Sequence, residues 1–102
     1  MFVDRLFEIV EKEFGITKEE LLSSNRRREL VVCRRIISYY LYDNGFSFYQ
    51  IADILKRDRT IMYFYIQTFD DELKFNKMFY KCHERVKYKI KALINESKQV
   101  SE

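Results

Sequence analysis

Apolar side chains recur at helical spacing along nearly the whole chain. Val3, Leu6, Phe7, Val10 and Phe14 step by three and four residues, with Glu8, Glu11, Lys12 and Glu13 on the other side, which predicts an amphipathic helix over 2–14. Gly15 stops it, because glycine accepts the left-handed backbone that follows a helix C-terminus. Thr17-Lys18-Glu19-Glu20 has the spacing of a capping box and predicts a short second helix carrying Leu21 and Leu22. After a polar loop at Ser24 to Arg28, a third helix is predicted from about 29 to 43. Its Leu30, Val32, Cys33, Ile36, Ile37, Tyr40 and Leu41 cover two sides, so it belongs at the centre with neighbours on more than one face.

Asn44-Gly45 closes that helix, and Ser47-Phe48-Tyr49-Gln50 is a second capping box. It opens a helix through Ile51, Ile54 and Leu55 that ends near Lys56. Asp58 is placed to cap the next helix, whose Met62, Tyr65, Ile66, Phe69 and Leu73 share one face. A short helix, a turn and a longer helix outline a helix-turn-helix over about 47–70. The last helix, about 75–96, sets Phe75, Phe79, Cys82, Val86, Ile90 and Leu93 on one side and Lys74, Lys77, Lys81, Lys91 and Lys98 on the other. The expectation is one all-α domain of five to six helices over 1–96, with 97–102 as a frayed tail.

Composition narrows the chemistry. Among 102 residues there is no proline, and the two glycines, Gly15 and Gly45, stand thirty residues apart. That is too few turn formers for an all-β fold, and it leaves no glycine-rich loop to cradle a phosphate, which excludes a nucleotide hydrolase. Two cysteines and one histidine cannot supply four nitrogen or sulfur ligands to a structural zinc. Cys33 falls among core-facing positions with no group to orient it as a nucleophile, and Cys82 lies on the apolar stripe of the last helix. No enzyme activity, cofactor or metal is expected. With no secretory leader and no apolar run near 18 residues, the chain is expected to be cytoplasmic, off the membrane and a monomer in isolation.

The net charge of +3 is unevenly spread. Residues 1–20 carry three basic and six acidic side chains, residues 21–69 eight and four, and residues 70–102 eight and six. In the middle third, Arg26, Arg27, Arg28, Arg34 and Arg35 surround the start of the third helix, while Arg57 and Arg59 flank the second element of the helix-turn-helix. Two arginine clusters thus bracket the motif. Arginine carries a planar fork that reaches a phosphate, or the O6 and N7 edge of guanine, with two hydrogen bonds. Tyr65 falls with Met62 and Phe69 on the core side, whereas Tyr63 and Phe64 face outward and are free for base or protein contact.

Gly15-Ile16-Thr17-Lys18-Glu19-Glu20-Leu21-Leu22-Ser23, then Arg26-x-Arg28-Glu29-Leu30-Val31-Val32-x-Arg34, Ser47-x-x-Gln50-Ile51-Ala52 and Arg57-Asp58-Arg59-Thr60, resemble in order and spacing the C-terminal DNA-binding domain of the bacterial replication initiator DnaA. The resemblance covers roughly residues 3–95. It implies that domain's all-α, Trp-repressor-like helix-turn-helix fold and sequence-specific binding of duplex DNA, DnaA-box-like, in replication initiation or its control. Arg26, with Arg28 beside it, matches the loop arginine that enters the minor groove. Arg34 matches the arginine of the family's Pro-Arg-Gln element, and Arg35 stands where that element has an amide. Arg59, Thr60, Ile61 and Phe64 occupy the base-reading positions. Arg59 and Phe64 replace histidines and Ile61 a threonine, which changes the base chemistry: two donors for guanine, but only apolar contact at the other two. The turn is one residue shorter, with Lys56 and no glycine.

On this reading Arg34, Arg35 and Arg57 grip phosphates or base edges, and Arg27 meets phosphate. Double-stranded DNA in the nucleoid is the implied partner, with a separate replication protein as a further candidate. The competing reading is a protein-interaction module that keeps the fold and has lost DNA binding.

Overall fold

The computed structural model describes residues 2–100, and the side chains of 2–96. Within them the chain forms seven helices: α1 (Phe2–Phe14), α2 (Lys18–Leu22), α3 (Arg28–Asp43), α4 (Phe48–Leu55), α5 (Arg59–Gln67), α6 (Phe69–Phe75) and α7 (Lys77–Val100). The predicted punctuation operates. Gly15 turns at φ +64°, and both capping boxes close, Thr17 with Glu20 and Ser47 with Gln50. The Asp58 side chain accepts the Thr60 N–H at 2.7 Å and caps α5.

α3 is the hub, packing against every other helix. All seven apolar residues predicted to cover its two sides are buried. α1 runs antiparallel along α7, tied at its ends by Arg5 to Glu96 and by Glu13 to Arg85 and Lys89. The Lys89 hydrogen bond, and then that of Arg85, holds the Glu13 carboxyl below the usual carboxylate range. Cys33 is fully buried, and burial pushes its thiol up to about 12, so it stays protonated and unreactive near neutrality.

Two helix boundaries differ from the periodic pattern. The expected helix over about 58–73 breaks at Thr68, where φ −99° and ψ 3° end α5. The Thr68 hydroxyl turns back to donate to the Phe64 carbonyl at 2.8 Å, and the redirected chain stacks Phe69 on Tyr39 with ring centroids 3.9 Å apart. Spacing alone cannot show this, since Met62, Tyr65, Phe69 and Leu73 would also fit one unbroken helix. At the next corner, Asn76 accepts the Phe79 N–H and opens α7. Phe75, expected on the core side of the last helix, therefore ends α6 and stands 83% exposed. The backbone of α7 stays helical to Val100, past the predicted end at Glu96; positions 101–102 of the expected tail lie outside the described residues, as does the side chain of Lys98.

His83 is a core residue. Its Nε2 pairs with the Tyr40 hydroxyl at 2.7 Å, and burial, followed by the charge of Lys87, lowers its pKa from the ordinary 6.5. Below pH 6.5 the unfolded chain gains a proton that the folded one resists. Stability is therefore full above that pH and falls as the pH drops. Urea midpoints taken between pH 7.5 and 5.5 are expected to decline, and the decline to shrink in His83→Gln; equal declines would contradict the assignment.

Candidate nucleic-acid interface

The loop between α2 and α3 is built by its own short polar side chains. Ser23 Oγ donates to the Glu20 carbonyl at 2.7 Å and accepts the Asn25 N–H at 3.2 Å, and Asn25 Oδ1 accepts the Arg27 N–H at 2.8 Å. These turns leave Arg26, Arg27 and Arg28 exposed at the N-terminus of α3. Cations at that end of a helix oppose its dipole and lower stability, so three in succession are better explained by a polyanionic partner than by folding. Arg27 is partly neutralised by Glu20 at 3.7 Å and Glu29 at 3.9 Å.

Of three arginines expected to grip DNA, Arg34 and Arg35 are buried and Arg57 is half-buried, and each is hydrogen-bonded within the domain. Arg34 is only 2% exposed and donates from Nε to the Leu21 carbonyl at 2.7 Å, and from Nη2 to the Glu20 and Ser23 carbonyls at 3.0 Å each. Arg57 is half-buried and reaches the same Ser23 carbonyl, as well as the Lys56 carbonyl at 3.1 Å. Arg35 is buried, hydrogen-bonded to the Thr68 hydroxyl, with its guanidinium 5.0 Å from the Tyr65 ring centre. Burial, and next the charge of Arg57, lower the pKa of Arg34. A guanidinium whose donors meet three carbonyls braces the loop.

That brace joins the two arginine clusters. Arg34 from α3 and Arg57 from the turn before α5 meet at Ser23, so the basic loop and the start of α5 border one groove of about 650 Å³. Its lining takes in Ser24, Arg26 and Val31 together with Arg34, Arg57, Ile61 and Tyr65. Arg26 thus shares a groove with Ile61, in the first turn of α5.

On α5 the expected base-reading residues Arg59, Thr60, Ile61 and Phe64 are all exposed, while Met62 and Tyr65 anchor the opposite face in the core. Tyr63 is outward too, as the spacing predicted. One partner was not anticipated: Tyr49, in the first turn of α4, is 68% exposed and holds the Arg59 guanidinium 4.3 Å from its ring centre. An exposed aromatic inside a capping box was the available signal. Between the helices Lys56 takes the left-handed conformation at φ 57°, doing without Gly what such a turn ordinarily asks of it. Lys56→Gly is expected to stabilise the domain by about 0.5–1 kcal/mol in urea unfolding, since the Cβ strain exceeds the added freedom of the unfolded chain; a destabilised variant would contradict this.

Two helices joined by three residues, the first anchored through Ile51, Ala52 and Leu55 and the second presenting its N-terminal half, make this a helix-turn-helix protein. The chain belongs to the family described as bacterial dnaA protein helix-turn-helix, whose model matches residues 3–68. It is similar to the chromosomal replication initiator protein DnaA of Pseudothermotoga lettingae, 30% identical over 69 residues. That stretch takes in 67% of this chain and 16% of the relative's length. No solved structure matches the chain. The family match ends at Thr68, so α6 and α7 lie beyond it.

Proposed function

We propose that the domain binds duplex DNA in a sequence-specific manner, with α5 in the major groove and the Arg26–Arg28 loop at the adjacent minor groove, in replication initiation or its control and without catalysis. The observation that carries the reading is the groove shared by Arg26 and Ile61, which borders both the exposed basic loop and the exposed start of α5. Arg59, Thr60, Ile61 and Phe64 face the bases. Arg26 enters the minor groove, Arg27 and Arg28 meet phosphates, and Arg34, Arg35 and Arg57 hold these parts in place. Family membership supports a replication role, as does the likeness to the Pseudothermotoga chromosomal replication initiator.

Contact with about four phosphates would make log affinity fall against log salt with a slope near −3.6. A polarisation titration of labelled random duplex at several salt concentrations is expected to show such a fall, and selection from a random duplex pool to return a consensus. Binding indifferent to salt, or absent, would instead favour a protein-interaction module built on the exposed Tyr63 and Phe64.

A further inference from the structure

Beyond the family match, the outward side of α7 has a composition the duplex reading does not use. At the corner of α6 and α7 a groove of about 490 Å³ is lined by Leu73, Lys74, Phe75, Lys77, Tyr80 and Lys81, with no carboxylate among them. Phe75 is 83% and Tyr80 50% exposed. The same side of α7 continues through Tyr88, 69% exposed, and Lys91, because steps of three, four and seven residues return to one face. Glu84, the acidic residue on this side, is paired with Lys87.

Large rings held open to water beside cations call for a partner that is both anionic and rich in flat apolar faces. An intact duplex supplies phosphates but keeps its base faces stacked inside. A single strand offers both. We propose that Phe75, Tyr80 and Tyr88, with Lys74, Lys77, Lys81 and Lys91, form a site for single-stranded DNA, the rings stacking on bases and the lysines following the backbone. Tyr80 and Tyr88 are about 12 Å apart along the helix axis, which leaves room for bases between them. A separate depression at the α6–α7 corner is lined by Arg26, Arg28, Glu72, Asn76 and Met78 among others. The site does not depend on how, or whether, a duplex docks.

The test is polarisation of a labelled 15-nucleotide oligothymidine against the wild type and Phe75→Ala/Tyr80→Ala/Tyr88→Ala, with random duplex titrated in parallel. The wild type is expected to bind the single strand, the triple variant at least tenfold more weakly, and duplex affinity to stay unchanged. Tyr80→Phe/Tyr88→Phe keeps the rings and is expected to bind like the wild type, which separates stacking from any loss of folding. Two results would overturn the proposal: no binding of oligothymidine by the wild type, or an equal loss on duplex.

Discussion

Replacing Arg34 by methionine is expected to destabilise the domain by about 3 kcal/mol, because the Leu21, Glu20 and Ser23 carbonyls lose a buried charged donor that water cannot replace. For a domain of this size that is a fall in Tm of about 15 °C. Methionine keeps most of the side-chain volume, so the loss reports hydrogen bonds more than a cavity. The basic loop should loosen with it, and duplex binding should weaken in proportion to its mobility. Thermal unfolding and duplex titration of the same variant separate the two roles available to this arginine. An unchanged Tm with lost DNA binding would return Arg34 to the surface and contradict its function as a brace.

The second large effect is on specificity. Arg59 opens α5 and is exposed, so Arg59→Ala should leave stability close to that of the wild type. It is expected to cost about 1–3 kcal/mol of discrimination at one or two base pairs of a selected site, with guanine the base preferred there. Tyr49→Leu should reproduce part of that loss, since the ring that holds the guanidinium is gone. Arg27→Ala should weaken every sequence alike, through a phosphate contact already diluted by Glu20 and Glu29. Titration of each variant against the selected duplex and its single-base substitutions checks these outcomes; a uniform loss for Arg59→Ala would remove it from base reading.

Much of the fold could be read in advance because its signals are local. Capping boxes at Thr17 and Ser47, the Asp58 cap and the two-sided apolar pattern of α3 depend on neighbours a few residues away. The breaks at Thr68 and Asn76 were hidden because they arise from tertiary demand, the placing of Phe69 on Tyr39 and the reorientation of α7. The exposure of Arg26 to Arg28 and of Arg59, Thr60, Ile61 and Phe64 follows from motif position. The fate of Arg34, Arg35 and Arg57 did not, since a charge pattern records which residues are cationic and not whether backbone carbonyls will fold over them. Arg34 lies four positions before Ser38, on the face of α3 that the apolar pattern already marked as inward. In hindsight that was the available clue.

The central claim is that loop and helix meet one duplex from the same side. Chemical interference on the selected duplex tests it directly: guanine methylated at N7 perturbs the major groove, and adenine methylated at N3 perturbs the minor groove. Both modifications are expected to block binding, the N7 positions under α5 and the N3 positions about half a helical turn away under Arg26, with Arg26→Ala erasing the second set alone. Interference confined to one groove, or an Arg26→Ala pattern identical to the wild type, would contradict it.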